Sequence, residues 1–394
     1  MRKEHEDFLK LLKLGLGGTW EASEWTDEVD WMAVRKVAES QGMTAVCWDG
    51  LQNGQFGIRL DDIEFLKWYG VVAREEQRYA KHLKVAGHLA KWYQQHGYEM
   101  MLMKGLSLSD YYPTPQHRRC GDIDIFVMKG ADGESGVICA QEEADRLMAS
   151  ELGIKMDNSH HHHSVFDIDG VMVENHYNFV NIHSHYSNRR VEKTLQASLE
   201  EKTLQASLRE KALQASLKGR MSQSGSGWLV PPVRFNAVFL LSHAGAHFAA
   251  ERSTVRFAVD WGMFVKTQHD LIDWGWLESW AREMNRDRFL FCLNIICVKW
   301  LGLPVEWFGS TGMEMSVPAR MADAERVLNE MLLSESSQEL TRKGLLSNVW
   351  ARTRRVWRNR WKFEMVYPDN FYLDFVVHAW SNVLKFDKRL LEKD

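Results

Sequence analysis

Two aspartates, Asp122 and Asp124, stand at i and i+2 in "CGDIDIFVMKG", a short apolar run bounded by glycines. Successive strand side chains alternate between faces, so a strand here carries both carboxylates on one side. Buried charges are costly unless they are paired or bind a cation. Two carboxylates on one face can share divalent cations, the arrangement used by catalysis with two metals about 3.5–4 Å apart. Such a site clamps a triphosphate, polarises the phosphorus under attack and stabilises the departing pyrophosphate. A D-x-D pair is also common on solvated surfaces, so the assignment depends on its company.

A third acid is expected, and Glu174 is the best candidate. The segment "HHHHSVFDIDGVMVENHYNF" reads as a hairpin, because Asp169-Gly170 is a dipeptide favoured by two-residue type I′ turns. Pairing Ile168 with Val171 and counting outward sets Val165 opposite Glu174, His163 opposite His176 and His161 opposite Asn178. Paired residues share a face, so one side of the hairpin carries a carboxylate among histidines. If this strand lies beside the first, Glu174 completes an acidic cluster. The run His160 to His163 sits inside a strand pattern, which argues against an expression tag. A zinc site drawn from His161, His163, Glu174, His176, His183 or His185 is chemically plausible, since imidazole and carboxylate suit zinc, but its spacing matches no established motif.

Other elements must position these groups. Residues 1 to about 98 read as helices, with apolar residues at three- and four-residue steps. "GYEMMLMKG" reads as a buried strand stopping at Gly105, and "LSLSDYYPTPQ" as a short helix ended by Pro113 and Pro115. "EEADRLMASELG" reads as another helix. Three units, "KTLQASLEE", "KTLQASLRE" and "KALQASLKG", repeat from Lys193 to Gly219. Nine residues turn an ideal helix through about 180°, so the repeat specifies no single apolar stripe. We read it as a helical arm, followed by the flexible link "SQSGSG".

From about Val230 the chain reads helical again, with "FNAVFLLSHAGAHFAAERSTVRFAVDWGMFV" as one long amphipathic stretch. His243 and His247 lie one helical turn apart, yet Ala244 stands where a zinc-protease helix has its glutamate. A structural or substrate-facing role is preferred over metal binding. "LSNVWARTRRVWRNRWKF" holds Arg352, Arg354, Arg355, Arg358, Arg360 and Lys362 beside Trp350, Trp357 and Trp361. A solvated basic face is preferred over a phosphate-backbone contact, and RNA stays open as a partner.

Composition sets the outer bounds. A hydrophobic content of 45% in 394 residues buries a sizeable core and, at roughly 150 residues per domain, allows two or three domains. The net charge of -4 gives no global reason to expect a polyanionic partner. The cysteines lack C-x-x-C spacing, which argues against a disulfide framework and suits a reducing, cytoplasmic compartment. Lys10 and Lys13 interrupt the first apolar segment, so no signal peptide is expected. "FLFCLNIICVKWLGLP" falls short of the roughly 20 residues needed to cross a bilayer, so we expect a core helix and no membrane insertion.

Together, "LMKGLSL", "YYPTPQHRRCGDIDIFV" and "VENHY", followed by "HAGAHF" and "VDWGMF", resemble the bacterial family labelled uncharacterised nucleotidyltransferase, a branch of the polymerase-β-like superfamily. The likeness spans most of the chain and is most specific around residues 103 to 127. It implies an α+β fold, a small mixed β-sheet nucleotidyltransferase core flanked by N-terminal and C-terminal helical regions. The expected organisation is a helical region over 1–98, the core over 99–190, the repeat arm and link over 191–228, and a helical domain over 229–394. The resemblance implies transfer of a nucleoside monophosphate from an NTP, ATP by default, to an unknown hydroxyl-bearing acceptor: RNA, protein or a small molecule.

By the same resemblance, Asp122, Asp124 and Glu174 are the catalytic triad and bind Mg²⁺ or Mn²⁺. Lys104-Gly105 stands where most of the superfamily has Gly-Ser, so the usual serine contact to phosphate is absent. Lys104 is expected to contact phosphate instead, with Gly105 letting backbone N–H groups approach it. Arg118 matches the family's arginine four residues before the first aspartate. It either grips phosphate through two hydrogen bonds or forms a salt bridge that orients Asp122. His176 orients the carboxylate, contacts phosphate or is structural, with His163 in support. Because superfamily members vary in acceptor and some have lost activity, the alternatives are a non-catalytic nucleotide-binding or regulatory module, or a zinc protein using the hairpin histidines.

Overall fold

The computed structural model describes residues 1–19, 29–53, 60–129, 138–160, 162–200, 227–250, 253–333, 354 and 356–372. The N-terminal region is helical as expected: α1 (Lys3–Gly15), α2 (Trp31–Gln41), α3 (Thr44–Asn53) and the long α4 (Asp62–Gln95). Asp30 and Asp61 cap α2 and α4, accepting hydrogen bonds from the Ala33 and Glu64 amides at 2.9 and 2.8 Å.

The sheet comprises β1 (Tyr98–Leu102), β2 (Ile123–Lys129), the two-residue β3 (Ile138–Cys139), β4 (His163–Ile168) and β5 (Val171–His176). Between them lie α5 (Leu106–Ser109) and α6 (Gln141–Leu152). The strand order is β1-β2-β5-β4, with β3 also paired to β2. β1 and β2 are antiparallel, β2 and β5 parallel, β4 and β5 antiparallel. The hairpin adopts the expected register: Ile168 faces Val171, Val165 faces Glu174 and His163 faces His176. Asp169 and Gly170 both have positive φ, 54° and 71°, as a type I′ turn requires. His161 lies outside the described residues. Leu229 bonds to both Met100 and Leu102 along β1, and Asp157 bridges to Val165 of β4, so both outer strands are partly covered.

Alternation along β2 divides the molecule. Ile123, Ile125 and Val127 join Leu89 and Tyr93 of α4, Met148 of α6 and Val173 of β5 in one apolar cluster. Phe126 and Met128 join the larger cluster, which runs from Phe8 and Leu12 of α1 through the C-terminal helices. Asp122 and Asp124 have the parity of Phe126, so the acids look toward the helical regions.

Those helices are α7 (Asn188–Glu200), α8 (Val233–Ala249), α9 (Val255–Gln268), α10 (Trp274–Glu283), α11 (Asp287–Lys299), α12 (Thr311–Met315), α13 (Pro318–Leu332) and α14 (Arg360–Val366). Two expectations change. The long stretch from Phe235 is split into α8 and α9, and α8 is buried on nearly every side, including Phe235, Val238, Phe239, Leu241 and Phe248. It is the central helix of the larger core rather than an amphipathic one. The first repeat unit also packs, because Val191, upstream of it, aligns with Leu195 and Leu199 at four-residue steps and all three are buried. The second and third units lie outside the described residues. α11 is the expected core helix, and no helix among the described residues is long and apolar enough to cross a membrane.

Candidate active site

The parallel pairing of β2 with β5 sets Asp124 directly opposite Glu174. Asp124 is 1% exposed. Its Oδ1 lies 2.8 Å from Lys104 Nζ and 3.1 Å from His176 Nε2. His176 Nε2 is also 3.5 Å from Glu174 Oε2, and His163 Nδ1 is 3.8 Å from that same oxygen. Ligand atoms of Asp124, Glu174 and His176 all lie within 4.8 Å of one another. Asp122 stands outside this tight group, half-buried at the mouth of β2.

Electrostatics distinguish the members. Burial alone would raise the Asp124 carboxyl, but Lys104 and His176 outweigh it and hold it below the usual carboxylate range. Burial works against the Lys104 ammonium, and Asp124 and Asp122 outweigh it, so its pKa rises. His176 is likewise raised against burial by its bonds to Asp124 and Glu174. Burial and the neighbouring Asp124 push Asp122 up. Burial drives His162 and His163 down, to about 3 and about 4.

A cleft opens in front of Asp124. Lys104, Gly105, Arg118 and Asp122 line one wall, and His243, His247, Arg256 and Asp260 line the other. Gly105 has φ +69°, and a Cβ there would lie 3.8 Å from Asp124 Oδ2 and 3.6 Å from the Asp122 carbonyl oxygen. Glycine is therefore required by backbone conformation, and it leaves that wall open.

Arg118 is gripped from the opposite wall. Its Nε and Nη2 donate to Asp260 Oδ1 and Oδ2 at 3.0 and 2.8 Å, while Tyr112 donates to Asp260 Oδ1 at 2.6 Å. The salt bridge expected to orient Asp122 is made to Asp260 of α9 instead. The remaining nitrogen, Nη1, donates to the Arg119 carbonyl at 3.2 Å.

A model of the family described as uncharacterised nucleotidyltransferase matches residues 27–302, which contain every strand of the sheet and both cleft walls. The chain belongs to this family. No curated protein and no solved structure matches it. Nucleotidyl transfer is therefore its general reaction class, and the α+β fold with helices flanking a small mixed sheet is the one expected.

The residues of this nucleotidyltransferase fit a hard divalent cation. Asp124 Oδ2 is buried and accepts no hydrogen bond, and the Glu174 and Asp122 carboxylates are its acidic neighbours. Lys104, expected at phosphate, here neutralises the other oxygen of Asp124.

Arg256 escaped the sequence reading. Its Nε is buried without a hydrogen-bond partner, in the cleft, one helical turn before Asp260. An arginine four residues before an aspartate inside the apolar run "VRFAVDWG" was the available signal. His243 and His247 face the cleft, with ring centroids 4.5 Å apart and Phe257 against both. Burial and then Lys104 keep His243 well below the ordinary histidine value, so it is neutral.

Of the histidines considered for zinc, the structure gathers His163 and His176 beside Glu174. His185 instead packs against Tyr367, with ring centroids 3.9 Å apart and the rings tilted by 36°. On the basic C-terminal segment Arg354 and Arg358 are exposed, as a solvated basic face requires, while its far end packs into the core. Lys362 pairs with Glu330 at 2.6 Å and is 6% exposed, and Trp361 packs on Phe248 at 5.5 Å. Trp357 is half-exposed, while Trp350, Arg352 and Arg355 lie outside the described residues.

Proposed function

We propose that this nucleotidyltransferase moves a nucleoside monophosphate from an NTP, ATP by default, to a hydroxyl-bearing acceptor, with Mg²⁺ or Mn²⁺ held by Asp122, Asp124 and Glu174. The observation that carries this reading is the register of Asp124 against Glu174 across β2 and β5, with the free Asp124 Oδ2 on the cleft wall. When bound, the divalent ion neutralises triphosphate charge and activates the phosphorus under attack.

The chain's own groups do the rest. Lys104 holds Asp124 in the free protein and lies on the cleft wall, so a small side-chain rotation offers its ammonium to a phosphate oxygen. Arg118, fixed by Asp260, sets its positive charge on the same cleft wall, and Gly105 keeps the approach clear. Glu174 accepts the proton of the acceptor hydroxyl. His176 keeps Asp124 and Glu174 in place, and His163 supports Glu174 from the paired strand. The helical regions on either side of the core select the acceptor, be it RNA, protein or a small molecule. The described cysteines are free, which supports a reducing, cytoplasmic setting.

The test is pyrophosphate release from labelled NTPs with Mg²⁺ or Mn²⁺, for wild type and Asp122→Ala/Asp124→Ala. Release in wild type and its loss in the double variant are expected. Nucleotide binding without release in both proteins would instead favour a non-catalytic nucleotide-binding module.

A further inference from the structure

We propose that His162, His163 and His176 form a second metal site, of the zinc type, which shares His176 with the acidic cluster. One ligating nitrogen from each lies within 4.8 Å of the other two. The ring centroids are 4.2 Å apart for His162 and His163, and 5.0 Å apart for His163 and His176. Nδ1 of His162 and Nδ1 of His163 are buried without hydrogen-bond partners, and His163 is only 6% exposed. Buried polar atoms left unpaired in a folded chain need an explanation, and an ion bound by imidazole supplies one.

The backbone holds all three rings in place. The His162 carbonyl accepts from the Tyr177 and Asn178 amides at 3.1 and 3.3 Å, and His163 is paired in register with His176. His176 Nδ1 donates to the Asn178 carbonyl at 3.4 Å, which leaves Nε2 as the ligating atom. A ligand histidine with its second nitrogen tied to a backbone carbonyl is the usual support around a metal. Three imidazoles select Zn²⁺ over Mg²⁺, and Glu174 Oε2, 3.8 Å from His163 Nδ1, is a carboxylate close enough to complete the ligand set. Strict alternation would send His162 to the other face, but β4 begins only at His163.

Nε2 of His176 cannot face both Asp124 and zinc, so filling this site frees Asp124 from its imidazole partner. The inference does not depend on the transfer reading, because its test reads metal alone.

Metal-free, untagged full-length protein is titrated with ZnCl₂ by calorimetry, and separately with Co²⁺ while visible absorption is recorded. We expect one zinc per chain in wild type and a tetrahedral cobalt spectrum. His162→Ala and His163→Ala should each weaken zinc at least tenfold, whereas Asp122→Ala should change it less than twofold. His163→Gln replaces any alanine variant whose far-UV circular dichroism shows it unfolded. Absence of saturable zinc, equal affinity in wild type and His162→Ala, or an equal loss in Asp122→Ala would overturn the assignment.

Discussion

Two buried carboxylates on opposite faces of one sheet are held in contrasting ways. Asp145 of α6 receives only neutral donors: Ser164 Oγ at 2.5 Å, Asn175 Nδ2 at 2.8 Å and the Gln141 amide. Both its oxygens are used, and burial, only partly offset by these bonds, raises its pKa. Asp124 receives two cations on one oxygen and nothing on the other. Its pKa moves the opposite way. The two sites share a strand, since Asn175 alternates with Glu174 and His176 along β5. A carboxylate closed by neutral donors completes a polar network, whereas one held by cations with an oxygen to spare is arranged to exchange its partners for another charge.

The sharpest way to break that comparison is Asp124→Asn. The amide keeps the shape but removes the charge that gathers Lys104 and His176. Pyrophosphate release should fall on the order of a thousandfold, about 4 kcal/mol in the barrier. Thermal melting monitored alongside should show a folded protein. Activity within tenfold of wild type would make Asp124 as structural as Asp145.

A third carboxylate sharpens the contrast. Asp260 also holds a cation, Arg118, but both its oxygens are engaged. It should therefore behave structurally. Arg118→Ala leaves Asp260 buried without its charge partner and should cost about 3 kcal/mol in urea-unfolding measurements. Unchanged stability together with lost nucleotide binding would show that Arg118 serves phosphate first.

The legible parts of the fold are those with local rules. Asp169-Gly170 sets a turn, the turn sets a register, and the register puts His163 beside His176 and Val165 beside Glu174. The placement of Glu174 beside Asp124 was open to proposal because a strand pair is short-range in space and carries a clear hydrophobic pattern. Arg118's partner was not legible: Asp260 lies 142 residues away, and no periodicity encodes that pairing. Lys104 shows a related limit. Its meeting with Asp124 follows from the antiparallel β1–β2 pairing, extended by the Met103 amide bond to the Asp124 carbonyl at 3.0 Å. The all-round burial of α8 depends on which elements surround it, which a single-helix pattern does not contain.

The neutral side of the comparison has its own test. Asp145→Ala removes the shared acceptor of Ser164, Asn175 and Gln141 and strands their donors in the core. A loss of about 2 kcal/mol is expected from these unmade hydrogen bonds. Pyrophosphate release per folded molecule should stay within twofold of wild type, measured at a temperature where both are folded. A tenfold drop would mean that the two faces of β5 are coupled.

The smallest expected effect concerns His117, where a cation meets carboxylates near the surface. Its ring lies 2.8 Å from Asp49 of α3 and 3.1 Å from Glu76 of α4, directly before Arg118 in the chain. Burial disfavours the imidazolium, but the bonds to Asp49 and Glu76 outweigh it, so the folded pKa lies above the ordinary 6.5. A raised folded pKa stabilises the native state fully below the unfolded value, and that contribution fades as pH rises through the folded one. Glu76 is 45% exposed, so solvent screening limits the effect to about 1 kcal/mol. The stability gap between wild type and His117→Gln, read from urea midpoints, should be largest near pH 6 and shrink toward pH 8. A gap that stays constant with pH would assign His117 a role through shape alone, and the cation–carboxylate rule drawn from Asp124 would then stop at the buried site.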